Sequence, residues 1–91
     1  MIYKIKFENT ATKDIKYLKR SEPQAYNKLV RLLEELQTTP TTGTGHPKPL
    51  GANRAGQWSR RITQKHRLVY KIENEEVTVL VLSAYGHYDD K

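Results

Sequence analysis

The chain has 91 residues, no cysteine, and a formal charge of +6 from sixteen Lys and Arg against ten Asp and Glu. That length holds one domain, residues 1–91, burying roughly 60–65% of its unfolded surface, and without thiols neither disulfides nor thiolate metal sites can reinforce the core. The absence of a signal-like or membrane-length apolar run leads us to expect a cytoplasmic protein, and the positive excess is what attracts polyanions.

In chain order, Ile2 to Phe7 alternates apolar and charged residues as a strand does, with Tyr3, Ile5 and Phe7 on one side. Asn9 or Thr10 is a candidate cap for a short helix reaching about Arg20, its apolar face formed by Ala11, Ile15 and Leu18. Ser21-Glu22-Pro23-Gln24 then has capping-box spacing, with proline in the first turn of a second helix. Ala25, Leu29, Leu32, Leu33 and Leu36 give that helix a continuous apolar stripe. Thr38 to Gly56 holds three of the four prolines and four of the five glycines, so it reads as a long loop. Three strand-like runs follow: Gln57–Thr63, His66–Ile72 and Val77–Ala84. Gln64-Lys65 and Glu73–Glu76 form the connections, and the last run is apolar on both faces, as a central strand is. The expected architecture is α+β in the order β-α-α-β-β-β. A helical hairpin packs on one face of a mostly antiparallel sheet, whose other face stays free.

The charge is clustered, since Arg60, Arg61, Lys65, His66 and Arg67 fall within eight residues. No G-x-S-x-G supports a serine nucleophile, the three histidines lack metal-ligand spacing, and no glycine-rich loop precedes a helix. What remains is cationic: Lys48, Arg60, Arg61, Arg67, His87 and Tyr88. Cleavage of RNA without metal needs an acceptor for the 2′-hydroxyl proton, a donor for the departing 5′-oxygen and fixed cations at the phosphorane. Arginine suits the cationic task through its bidentate fork, histidine the proton donor, and an exposed tyrosine can stack on a base. Adjacent strand residues face opposite ways, so at most one of Arg60 and Arg61 serves such a site, the other being expected as an ordinary surface charge. A terminal His-Tyr pair is by composition more often a frayed end, Lys48 between prolines a solvated loop residue, His66 a structural histidine and Trp58 a core residue.

Four segments carry a resemblance: Gly43-Thr44-Gly45-His46-Pro47-Lys48-Pro49-Leu50, Gly56-Gln57-Trp58-Ser59-Arg60-Arg61-Ile62-Thr63, His66-Arg67-Leu68-Val69-Tyr70, and Tyr85-Gly86-His87-Tyr88. Together they resemble the YoeB toxins of the RelE/ParE superfamily in bacterial type II toxin–antitoxin systems. The resemblance implies a RelE-like, microbial-RNase-like fold and a metal-independent endoribonuclease that uses no cofactor and cuts mRNA in the ribosomal A site. It implies neutralisation by a YefM-like antitoxin, with a homodimer as an available assembly. Carried over by position, Arg67 matches the phosphate-stabilising arginine, His87 the general acid, Tyr88 the tyrosine that orients the RNA, and Arg61 a supporting cation. Arg60, Lys65 and His46 are further RNA-binding candidates.

Two positions depart from the family pattern. Lys48 stands where YoeB toxins usually carry a glutamate base. Lysine ordinarily holds its proton at neutral pH, although relatives in the wider RelE group use lysines in such roles. His46, two residues earlier, is another possible base. The tail Asp89-Asp90-Lys91 also runs beyond the usual His-Tyr end. A non-catalytic A-site binder and a ParE-like gyrase inhibitor are the alternatives, the terminal His-Tyr pair arguing against the second.

Overall fold

A computed structural model describes residues 2–51 and 55–84, with the backbone alone for 81–84. The N-terminal alternation becomes β1 (Lys4–Phe7), with Tyr3 and Ile5 turned against the core. Phe7 stays half-exposed at the sheet margin, lining a groove with Ile15, Tyr26, Val30 and Leu33 of the helices.

Helix α1 (Asn9–Ser21) starts one residue earlier than its expected caps, with Glu8 at the N-cap and no side-chain cap hydrogen bond. Asn9 and Thr10 are therefore helical residues, not caps. Ser21 ends this helix and does not begin the next. Glu22 alone separates it from α2 (Pro23–Leu36), and the capping box does not form. The Glu22 carboxylate instead reaches His66 Nε2 at 3.1 Å, drawing the helical elbow onto the sheet. Pro23 takes the first turn of α2, where its missing N–H removes nothing. Ala25, Leu29, Leu32 and Leu36 are buried, with Leu33 packed beside them.

The long loop contains an unexpected two-residue strand, β2 (Lys48–Pro49). Then come β3 (Gln57–Arg61), β4 (His66–Glu73) and β5 (Glu76–Ala84). The sheet order is β1-β5-β4-β3-β2, with β1 parallel to β5 and the other pairs antiparallel. Asn74, at φ 57, sits in the β4–β5 hairpin, in the left-handed region that asparagine tolerates. The helices pack their stripes on Ile62, Leu68, Tyr70, Val77 and Val79, which occupy one sheet face.

Arg60 lies on that same inner face, between Trp58 and Ile62, and is fully buried. This overturns its expected place among the exposed cations, because a guanidinium with no accessible surface touches no ligand. Its five N–H groups are all engaged. Nε donates to the Tyr70 hydroxyl at 3.2 Å, one terminal nitrogen to Glu35 Oε1 at 2.8 Å and the Thr44 carbonyl at 3.3 Å, and the other to the carbonyls of Thr39 and of Thr42. The Tyr70 hydroxyl in turn donates to the Pro40 carbonyl at 2.6 Å. One buried charge thus fastens the end of α2 and the loop from Thr39 to Thr44 onto β3 and β4. Such a charge is tolerated only when fully paired and hydrogen-bonded.

Removing one link tests this account. Tyr70→Phe leaves an Arg60 N–H and the Pro40 carbonyl without partners, a cost of about 1–3 kcal/mol by urea denaturation; an unchanged midpoint contradicts it. Glu35 supplies a pH signature. Hydrogen bonds from Thr44, and then the bond and charge of Arg60, hold its carboxyl below the ordinary 4.5 despite opposing desolvation. A depressed carboxyl contributes stability that is complete above its unfolded value and fades as pH falls through the lower folded one. Glu35→Gln should accordingly lose the part of the acid-side fall in stability that begins below about pH 4.5, read as urea midpoints against pH.

Candidate nucleic-acid interface

Strand alternation sends Gln57, Ser59 and Arg61 to the face away from the helices. In the β3–β4 ladder Arg61 stands directly opposite Arg67, and Ser59 opposite Val69. Residues directly opposite in an antiparallel pair share a face, with Cβ atoms about 4.5–5.5 Å apart. Two arginines therefore emerge side by side, Arg61 exposed and Arg67 half-buried. Among the described residues neither pairs with a carboxylate. Like charges so placed repel each other and create a positive focus that an anion would relieve.

The ladder continues to β2, where Lys48 is the partner of Ser59. Lys48 is exposed on the same face, one row from the arginine pair, and it too has no described carboxylate partner. Between the cations Ser59 and Val69 are buried, giving the patch a low floor. His46 is exposed at the loop end, immediately after Gly45, whose carbonyl accepts the Arg61 N–H at 2.7 Å.

The remaining expected residues are distributed differently. Lys65 sits in the β3–β4 turn, where it borders a recess shared with Glu22, Pro23 and Gln24 at the helical elbow. His66 is buried and bound to Glu22, the structural role its sequence context suggested. Trp58 packs against the core. His87 and Tyr88 lie outside the described residues. Strand β5 ends at Ala84, whose Cα partner is His66, next to Arg67. The structure therefore gathers Arg61, Arg67, Lys48 and the His46 loop on one side, and takes Arg60 out of the set.

Sequence reasoning missed Glu35 and Thr44, which hold the loop from beneath. The signal available was indirect: Gly43 and Gly45 both adopt positive φ, and a Cβ at Gly45 would lie 2.7 Å from the Arg61 carbonyl oxygen. Glycine at this point lets the loop approach β3 closely.

Comparison with known proteins identifies the family. The family profile of the YoeB-like toxin of bacterial type II toxin–antitoxin system matches residues 7–88. The YoeB toxin of Mycobacterium bovis is 37% identical over 84 residues, which are 92% of this chain and 96% of that protein. The Escherichia coli K12 YoeB toxin is 36% identical over 75 residues, 82% of this chain and 87% of its own. Among solved structures, a YoeB/ParE toxin from Agrobacterium tumefaciens superposes with a TM-score of 0.85 at 30% identity, covering 90% of this chain and 98% of its own. The YoeB dimer from Staphylococcus aureus gives 0.83 at 28%, covering 93% and 99%, and YoeB of that organism is also known in a heterotetrameric complex with YefM. On this evidence the chain belongs to the YoeB-like toxins of bacterial type II toxin–antitoxin systems.

Proposed function

We propose that this toxin is a ribosome-dependent mRNA endonuclease, residues 1–91 acting as one domain that enters the A site in the cytoplasm and cuts the codon there. The observation that carries the reading is the Arg61–Arg67 pair, opposite each other on the helix-free face with no described carboxylate to neutralise them. Such a pair suits a phosphodiester whose charge grows during attack by the 2′-hydroxyl. In this reading Arg67 stabilises the phosphorane, Arg61 supports it, and Lys48 adds a third cation. His87 protonates the leaving 5′-oxygen, Tyr88 orients a base, and Lys65 steers the RNA. The acceptor of the 2′-hydroxyl proton lies between Lys48 and His46. Chemistry of this kind requires no metal. An antitoxin of the YefM type would neutralise the protein, and a homodimer like that of the Staphylococcus aureus toxin is an available resting form.

Lys48 motivates a second reading, occupation of the A site without cutting, because a lysine replaces the expected glutamate. Primer extension on message in purified translating ribosomes separates the two. Cuts at the A-site codon that disappear with His87→Ala are expected; arrest with intact message in both proteins supports the binder instead. The arginine pair has its own signature in single-stranded RNA binding. Arg61→Ala should weaken binding across sequences and lower the slope of log K against log salt by about 0.7, as loss of one phosphate contact does. Anisotropy titrations with an RNA oligonucleotide at several salt concentrations measure it, and an unchanged slope removes Arg61 from the interface.

A further inference from the structure

We infer that His46, and not Lys48, takes the proton from the attacking 2′-hydroxyl, an assignment that rests on the nuclease reading above. The β2–β3 register pairs Lys48 with Ser59. Beyond β2 that count does not continue: it would pair His46 with Arg61, but the Arg61 N–H bonds the Gly45 carbonyl, so His46 is the next residue along the loop. Arg61 in turn faces Arg67.

At this point the ladder is redirected. The Arg61 N–H donates to Gly45 at 2.7 Å, and Gly45 and His46 both adopt left-handed backbone, at φ 86 and 53. A non-glycine residue there is uncommon and persists where its surroundings hold it, often at functional sites. Its surroundings do hold it. Immediately upstream the Thr44 N–H donates to Glu35 at 2.9 Å while the Thr44 carbonyl accepts from Arg60. Immediately downstream Pro47 limits the backbone. The loop that carries His46 is thus anchored to the buried Arg60 cluster, and the histidine itself is exposed.

A phosphate bridging Arg61 and Arg67 would lie next to the loop that Gly45 fastens to Arg61 and that carries His46. Lys48 stands one row away, on a diagonal of about 7–8 Å from Arg61. An exposed ammonium is a hydrated point charge, suited to a phosphate oxygen. An imidazole accepts and returns protons near neutral pH and is the side chain most used for that purpose. The charged groups nearest its loop along the ladder are Arg61, Arg67 and Lys48; beneath the loop, Glu35 is committed to Arg60 and Thr44.

In the step itself the 2′-hydroxyl proton passes to the His46 ring as the 2′-oxygen bonds to phosphorus. The bond from phosphorus to the 5′-oxygen breaks, and that oxygen takes a proton from His87. The products are a 2′,3′-cyclic phosphate and a 5′-hydroxyl. The imidazolium then returns its proton to water, and His87 regains one.

Single-turnover cleavage of ribosome-bound message, followed from pH 5 to 9, tests the assignment with wild type, His46→Asn and Lys48→Met. Asparagine tolerates left-handed backbone, and a thermal midpoint equal to wild type shows the fold intact. His46→Asn should slow cutting by about 10²- to 10⁴-fold and abolish the rise in rate on the acid side. Lys48→Met should keep that rise and slow cutting less. Wild-type rate and pH profile in His46→Asn overturn the assignment, as does loss of the acid-side rise in Lys48→Met. A slow His46→Asn that keeps the acid-side rise marks a positioning residue and overturns it too. A wild-type protein that leaves the message intact fails the nuclease reading itself, and so is distinguishable from each of these.

Discussion

The guanidinium of Arg60 is the constraint on which the rest of this molecule depends. Buried among leucines and valines it would be untenable alone, and its five N–H groups dictate where five acceptors must stand. Three of those acceptors are carbonyls of the segment after α2, a stretch with no regular structure of its own. The loop is ordered because a charge beneath it needs partners. Replacing such a cluster with apolar groups is often neutral or stabilising in other proteins, so its stability value is not the reason to have it. Its effect here is placement: it fixes the loop against β3 and carries Gly45 to the Arg61 backbone.

Two adjacent arginines thus have opposite fates and one shared result. Arg60 turns inward and secures the loop; Arg61 turns outward and meets Arg67 across the ladder. The inner residue is neutralised by Glu35 and carbonyl dipoles, while the outer pair has no described counter-charge. The fold spends its hydrogen-bonding capacity on one side of β3 and leaves charge uncompensated on the other. That asymmetry gives a small basic protein a localised positive site in place of diffuse charge.

Much of this was legible in the sequence. The leucine stripe of α2 and the alternation of β1, β3 and β4 report their own periodicities, so element order and the helix-free face follow directly. Trp58 and Ile62 flank Arg60 at two-residue spacing, which assigns Arg60 to the core face, yet its charge argued for the surface; only the partners supplied from α2 and the loop reverse that. Strand β2 was illegible for a different reason. Two residues ending in a proline have no strand signal and pair only because β3 presents an edge. The capping box before α2 failed where Glu22 serves His66 across the fold, a contact that local spacing does not encode. For the site, the shared face of Arg61 and Arg67 was readable from alternation, whereas Lys48 joins it only through the β2–β3 pairing. The relation of His46 to Arg61 required the Gly45 hydrogen bond and the two left-handed residues.

The parallel pairing of β1 with β5 joins Lys4–Phe7 to Glu76–Val79, far apart along the chain. Contacts of such long range form late, since the intervening segment must be closed first. During synthesis the helical hairpin can assemble from local contacts, but its apolar stripe has no sheet to cover it until the last strand has emerged. β4, which carries Arg67, also needs β5 as its neighbour. The basic face is therefore assembled only after β5 has been synthesised, and a nascent chain still short of β5 carries no completed site.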